Sequence, residues 1–374
     1  MNKSEEEPGL KETWGKDCLV LRPLWEEVFF EDSQEFTDYY FQEKAERNHG
    51  FALWTSQGQP VAMLYLAPYD LMLRVGKEWV TARINYIIGV ATKKEYRHRG
   101  YMDRLLRVAL EQMSTQNQPF TFLMPADPLI YQPYQFAYIY AKEKLILSRP
   151  VTEAERARTE ELSELAEFAS AFLSMNYDVF IRRDKDYFTV LEKELAAQNG
   201  GIGLWRSREG KGIEGYFLYT QESEKLQLQE AVVRNRDENW PVISTGVAEP
   251  VIMARVVDVQ RLLSLLRTDG AEVLFIIRII DPLLEQNQGL WECRISSTEA
   301  QIHKRGDGQE RIEGSRSPVW SITAENLIPW IFGYKPTKEC FCLDKETTSE
   351  VSEHFFNQLE KLALLSKVFI NEIV

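Results

Sequence analysis

The chain reads as α/β: two consecutive mixed-sheet units followed by an α+β segment. The first observation behind this is a repeat. The stretch GFALWTSQGQPVAMLYL (Gly50–Leu66) alternates apolar and polar residues around a Gly-containing turn, as a β-hairpin does. About 150 residues later GIGLWRSREGKGIEGYFLY (Gly201–Tyr219) repeats its plan of Gly, Leu-Trp, Ser, turn and apolar strand. The second observation is that an aromatic-rich helical segment precedes each hairpin, FTDYYFQEK and then DYFTVLEKEL, which points to a duplicated α/β unit. Chance likeness of two hairpins is the competing explanation. The third is a change of pattern near residue 250, from alternating units to a helix followed by several strands and a closing helix. The expected units are residues 1–150, 151–249 and 250–374. The polar run SRPVTEAERARTEEL leads out of the first, and NRDENWPVISTGVAEP lies near the end of the second.

Within the first unit, NYIIGVATKK is apolar on both faces, as a central strand is. The spacing of Met102, Leu105, Leu106, Ala109, Leu110 and Met113 predicts a helix over Tyr101–Met113, with Asp103, Arg104, Arg107 and Glu111 on its other side. PFTFLMPA follows as a buried strand, then DPLIYQPYQF and the strand AYIYAKEKLIL. In the third unit VIMARVVDVQRLLSLL reads as a helix, and EVLFIIRIID, GLWECRISS and EAQIHKR read as strands. A closing helix would place Phe355, Phe356, Leu359, Leu362 and Ala363 on one face. The ending KVFINEIV is apolar enough to be packed, where most termini fray.

A length of 374 residues fits two or three domains, and 44% hydrophobic with 27% charged residues is a soluble globular composition. The net charge of −13 argues against nucleic acid as a partner and is compatible with a cationic substrate. Cys18, Cys293, Cys340 and Cys342 form no C-x-x-C pair, and His49, His98, His303 and His354 are scattered, so no metal site is expected. The acidic start MNKSEEEPGLKETW has no apolar core of a signal peptide, and no apolar run approaches the ~20 residues of a membrane span. A cytoplasmic protein without membrane partners is expected.

Against that acidic background, Val90–Leu110 (VATKKEYRHRGYMDRLLRVAL) gathers six Lys or Arg and one His around Gly100, between a strand and a helix. A helix N-terminus leaves its first amides unpaired and carries the positive end of the macrodipole. Glycine lets a ligand approach the backbone, and Lys93, Lys94, Arg97 and Arg99 add charge. These parts make an anion site of the diphosphate-cradling kind. The alternative is a helix start with surface cations. The segment lacks the G-x-x-x-x-G-K-[ST] of a P-loop and two of the three glycines of a dinucleotide fingerprint.

The segment resembles the pyrophosphate-binding motif of the GNAT acetyltransferases, Arg/Gln-x-x-Gly-x-Gly/Ala after a central strand. Arg97 and Gly100 match, and Met102 stands where the last small residue belongs, a substitution the Eis (enhanced intracellular survival) branch tolerates. DPLIYQPYQFAY resembles the I-Y-x-x-[FY]-x-[FY] segment of that branch. The resemblance implies two tandem GNAT-like mixed-sheet domains, the second degenerate, and a C-terminal α+β domain of sterol-carrier-protein type. It also implies acetyl-CoA as co-substrate. Val90, Ala91 and Thr92 would pair with its pantetheine amides. Arg97, His98, Arg99, Gly100, Tyr101, Met102 and Asp103 would hold its pyrophosphate, and Ala126 and Asp127 would border it. VVRNRDENW, at the corresponding place in the second copy, lacks the glycine, so no second cofactor site is expected.

Acetyl transfer from a thioester to an amine needs a neutral amine, a stabilised carbonyl oxygen and a proton for the departing thiolate. The resemblance makes Tyr131 the proton donor; the bland alternative is a half-buried aromatic. It makes the α-carboxylate of the last residue, Val374, the base, with Glu372 as fallback and tail packing without catalysis as the alternative. The acceptor would be an aminoglycoside-like compound, a polyamine or a lysine. The rival is a non-catalytic CoA- or lipid-binding protein derived from an acetyltransferase. The family likeness also implies a homo-oligomer, in the family a hexamer.

Overall fold

β1 (Gly9–Trp14) opens a mixed sheet and pairs antiparallel with β2 (His49–Trp54). Between them α1 (Arg22–Val28) and α2 (Gln34–Tyr39) cover one face; Ser33 caps α2 by accepting from the Phe36 amide. β2 pairs with β3 (Pro60–Val75) across the turn at Gly58, so the first expected hairpin forms. β3 turns at Gly76 into β4 (Glu78–Thr92), which begins seven residues earlier than the apolar run predicts. That early part faces neither core fully, so periodicity could not show it. α3 (Tyr101–Thr115) then crosses to β5 (Phe120–Leu123), which lies parallel to β4. α3 buries Leu105, Leu106, Ala109, Leu110 and Met113, the face its spacing predicts, and each buried leucine contributes roughly 2 kcal/mol. The short α4 (Pro128–Tyr131) leads to β6 (Ala137–Leu147).

The computed structural model describes residues 7–149, 155–206, 212–222, 225–235, 240–306, 320–343 and 349–372. Residues 150–154 of the expected linker, 236–239 of VVRNRDENW and the terminal Ile373 and Val374 lie outside these. α5 (Leu162–Asn176), β7 (Val179–Ile181) and α6 (Lys185–Ala197) follow the linker. The second expected hairpin is β8 (Gly201–Arg206) with β9 (Ile213–Glu222), and β10 (Lys225–Val233) completes a three-stranded sheet.

β11 (Val242–Val256) departs from expectation. It inserts between β5 and β6 in the first sheet, pairing with both. The boundary expected between residues 249 and 250 therefore falls inside a strand, and residues 251–256, expected to be helical, are extended. VIMARVV is apolar at consecutive positions, and a central strand buried on both faces gives that pattern as readily as a helix does. Only Val259–Leu263, capped by Asp258, is helical there (α7). Beyond β12 (Arg267–Thr268), β13 (Val273–Ile280), β14 (Gly289–Ile295) and β15 (Ala300–Lys304) join β16 (Trp320–Thr323) and, past α8 (Ala324–Ile331) and α9 (Thr337–Cys340), β17 (Cys342–Leu343) in a five-stranded sheet. α10 (Ser349–Leu359) stops before Leu362 and Ala363, which form β18 and pair with β12 instead of extending the helix. The tail is packed: β19 (Val368–Phe369) lies parallel to β7.

The first sheet thus runs β1-β2-β3-β4-β5-β11-β6, with β7 on the edge of β3. The edge of β3 is shared: β2 pairs as far as Leu66 and β7 resumes at Leu71. Ala67, Pro68 and Tyr69 between them have no strand partner on that side.

Candidate active site

Two irregularities in β4 build the site. The register passes from Tyr65 opposite Ile88 to Met63 opposite Ala91, so β4 holds one residue more than β3 and bulges at Gly89–Val90. Gly89 has φ +62°, and a Cβ there would sit 2.6 Å from the Trp25 ring. Only a residue without a Cβ satisfies both conditions. Beyond the bulge β4 and β5 diverge: their register holds one pair, Tyr86 with Phe122. The Tyr86 hydroxyl wedges the gap by accepting from the Met124 amide at 3.2 Å. Val90, Ala91 and Thr92 line the β4 side of this opening and Ala126 and Asp127 follow on the β5 side, both exposed.

The opening leads to Arg97–Asp103. His98 (φ +62°) and Gly100 (φ +78°) are both left-handed, which turns the chain sharply into α3. The first helical bond runs from the Arg104 amide to the Gly100 carbonyl, so the amides of Tyr101, Met102 and Asp103 have no helical acceptor. Nothing lies within 4 Å of a Cβ built on Gly100, so the space before these amides is open. The cations divide. Lys93 is tied to Glu27 (2.9 Å), Arg107 to Asp103 (2.8 Å), and Arg104 turns back to the Pro8 carbonyl (2.8 Å). Lys94, Arg97 and Arg99 lie at the turn itself, Arg99 donating to the Glu95 carbonyl at 3.1 Å. Arg97 Nε is braced on the Thr92 carbonyl at 3.2 Å, and the Arg99 guanidinium lies 5.1 Å over the Tyr96 ring.

Tyr131 ends α4, whose start follows from Asp127-Pro128: the aspartate caps the Leu129 amide at 2.9 Å and proline occupies the first turn. Tyr131 is buried edge-on to Phe136, in the same core as Leu105, Leu106 and Leu123, with Val90 and Met102 packed against it. Its hydroxyl has no hydrogen-bond partner among the described residues. Burial pushes its pKa up to about 12.

On the opposite face, where β3 lacks a partner strand, Lys44, Arg47 and Asn48 together with β3, β4, β7, α6 and the tail line a cavity of about 220 Å³. Its acids are Asp70, Asp184, Asp186, Glu194 and Glu372. Lys44 pairs with Glu194 (2.6 Å) and Arg182 with Asp184 (3.5 Å). Glu372 accepts from the Tyr187 hydroxyl (2.7 Å), and the fully buried Arg183 lies 3.4 Å from it. Burial raises the Glu372 carboxyl to about 7, against the opposing pull of Arg183 and Lys44. Arg183 also pairs with Glu230 (3.0 Å), and Asn371 donates to Gln229 and Glu230. One buried ionic contact, the Tyr187 hydrogen bond, the Asn371 amide and a short strand therefore fix the tail. Tyr69, in the cavity wall, lies 6.0 Å from Tyr86, which puts one aromatic ring between cavity and strand opening.

Residues 19–139 match the family model described as acetyltransferase (GNAT) domain. The chain is an acyltransferase. Three solved structures share its fold over nearly their whole lengths. A conserved Enterococcus faecalis V583 protein, described as a probable N-acyltransferase, superposes with TM-score 0.71 at 14% identity, over 96% of this chain and 99% of that one. A GCN5-related N-acetyltransferase from Kribbella flavida gives 0.67 at 15% identity, over 98% and 99%. Eis1 from Mycobacterium abscessus gives 0.66 at 13% identity, over 98% and 100%. No curated protein matches the chain.

In the enzyme, Tyr131 belongs to the apolar core against which Val90, Tyr101 and Met102 pack, so the strand end, the turn and this tyrosine are joined through one core. Val374 lies outside the described residues, and Glu372, two positions earlier, is in the opposite cavity. Sequence reasoning missed Gly89, Tyr86 and the Arg183–Glu372 contact. Gly89 carried a legible signal, a glycine inside an apolar strand. The Arg183–Glu372 contact joins positions 189 apart and had none. No helix among the described residues is long and apolar enough to cross a membrane, and no group of His, Cys, Asp or Glu among them could hold a metal ion.

Proposed function

We propose that the enzyme is an acetyl-CoA-dependent N-acetyltransferase acting on a primary amine of a cationic acceptor, aminoglycoside-like, polyamine or lysine. The observation that carries this reading is the α3 N-terminus: three unpaired amides behind a left-handed glycine, open space before them, and Lys94, Arg97 and Arg99 beside them. The diphosphate of the co-substrate binds there, and its pantetheine arm pairs with the strand edge at Val90–Thr92, next to Ala126 and Asp127. The bulge at Gly89 turns a peptide N–H out of the ladder, where it can stabilise the carbonyl oxygen as charge develops.

Tyr131 hydrogen-bonds the departing thiolate. With the tyrosine at about 12 and a thiol near ~8.5, the hydrogen bond stabilises the thiolate and complete proton transfer waits for solvent. The α-carboxylate of Val374 takes the proton from the acceptor ammonium. A second reading gives that task to Glu372, favoured because it lines the cavity with a carboxyl near 7, matched to the working pH. The tandem-domain reading, a sterol-carrier-like C-terminal part and a homo-oligomer belong to the same proposal. Exposed Ile146, Ile243 and Val247 offer an apolar surface for self-association, which light scattering would measure.

The test is thiol release from acetyl-CoA with a panel of polyamines and lysine peptides, with mass spectrometry of the acceptor. Turnover with an added acetyl group supports the proposal. CoA binding without turnover across the panel would instead support the non-catalytic CoA- or lipid-binding alternative.

A further inference from the structure

A second cavity, of about 420 Å³, adjoins the first and shares Arg47, Pro68 and Arg83 with it. The gap in the edge of β3 explains the contact. With no strand beside Ala67–Tyr69, the space on one face of the sheet meets the space on the other. The two spaces differ in chemistry. The Glu372 cavity has five carboxylates in its wall. The second has no Asp or Glu among its described lining residues, and it has two guanidinium groups, Arg47 and Arg83. Arg83 is partly neutralised by Asp70 (3.2 Å), but Arg47 has no hydrogen bond or ion pair among the described residues.

The remaining wall is built for a polar guest. Asn85 lines the cavity; its backbone is satisfied by Gln118 and Thr121, and its carboxamide, which makes no hydrogen bond among the described residues, is open to a guest. Strand alternation puts that side chain on the α3 face with Ile87, the face of this cavity. His49 forms one side, held by Glu12 at 2.9 Å and stacked beneath Trp14 at 3.4 Å between ring centroids.

We propose that the acceptor is zwitterionic, an amino acid or similar amine, with its ammonium in the Glu372 cavity and its carboxylate in the second cavity against Arg47 and Asn85. This rests on the acetyl-transfer reading for the reaction, but the binding of the carboxylate does not. A polycation places a positive charge beside Arg47 and Arg83 and loses on that side what it gains on the other.

The experiment compares ω-amino acids with α,ω-diamines of equal length, by turnover and by equilibrium binding to the CoA-loaded protein, in wild type and Arg47→Gln. Arg47 is exposed, so the variant folds, which its melting temperature verifies. A charge-assisted contact gives the amino acid an advantage of ~10- to 100-fold, and Arg47→Gln should remove most of it. Equal kcat/KM for diamine and amino acid, or a ratio untouched in Arg47→Gln, overturns the inference while leaving the transferase reading intact. Arg47-dependent binding of the amino acid without any acetylation would uphold the site and overturn the transferase reading. If neither compound binds, the site is refuted.

Discussion

Replacing Glu372 by glutamine tests which carboxylate deprotonates the acceptor. Burial lifts this carboxyl from 4.5 to about 7. Each unit is 1.36 kcal/mol, so ionising it in the folded enzyme is harder by about 3 kcal/mol. The carboxylate is roughly a tenth populated at pH 6 and nine-tenths at pH 8. With Glu372 taking the proton from the bound ammonium, log kcat/KM rises with slope one below pH 7 and levels off between 7 and about 10, whereas without it the reaction waits for free amine of pKa ~10. Thiol release measured from pH 5.5 to 9 should show this break, and Glu372→Gln should follow slope one throughout. A single slope in wild type, or a break that survives in Glu372→Gln, refutes the assignment and leaves Val374. In that case residues appended after Val374 should lower kcat by orders of magnitude with unchanged CoA affinity. The stability sign follows from the same shift. A raised carboxyl favours the neutral folded form, so its benefit is full below 4.5 and is lost as pH climbs through 7. Wild type should lose melting temperature between pH 5 and 8 by more than Glu372→Gln does.

Tyr131→Phe should lower kcat by ~10²-fold with little change in the KM for acetyl-CoA, measured by steady-state thiol release; an unchanged kcat removes the hydroxyl from the mechanism. Gly89→Ala combines a left-handed φ with contact against Trp25 and should destabilise by about 2–4 kcal/mol in urea titration, whereas unchanged stability would contradict the bulge geometry. Arg183→Met strands Glu230 and Glu372 in the core; a loss of about 3–5 kcal/mol and faster proteolysis of the tail are expected, and a protected tail would show that Arg183 does not anchor it.

The turn and helix proposed to hold the cofactor were legible as structure because they are local. Strand, basic turn, Gly100 and the α3 stripe occupy one continuous segment, and Asp127-Pro128 announces the turn that carries Tyr131. The elements that misled are those whose partners are distant. β11 completes a sheet begun more than a hundred residues earlier, so its apolar run resembled a helix until β5 and β6 were beside it. Leu362 and Ala363 continue the apolar stripe of α10, yet pairing with β12 takes them out of it. The two cavities beside β3 follow from a gap between β2 and β7 on that strand, and no pattern within a single segment encodes a gap.

Calorimetric titration with coenzyme A, in wild type and Gly100→Glu, examines the phosphate seat on which the rest depends. The side chain would enter open space, so the fold should survive with a melting temperature within a few degrees, as for about 1 kcal/mol of backbone strain. The carboxylate would occupy the anion's place, and the affinity for CoA should fall by at least ~100-fold. Equal affinity in the two proteins would mean that the nucleotide thioester binds elsewhere, or not at all.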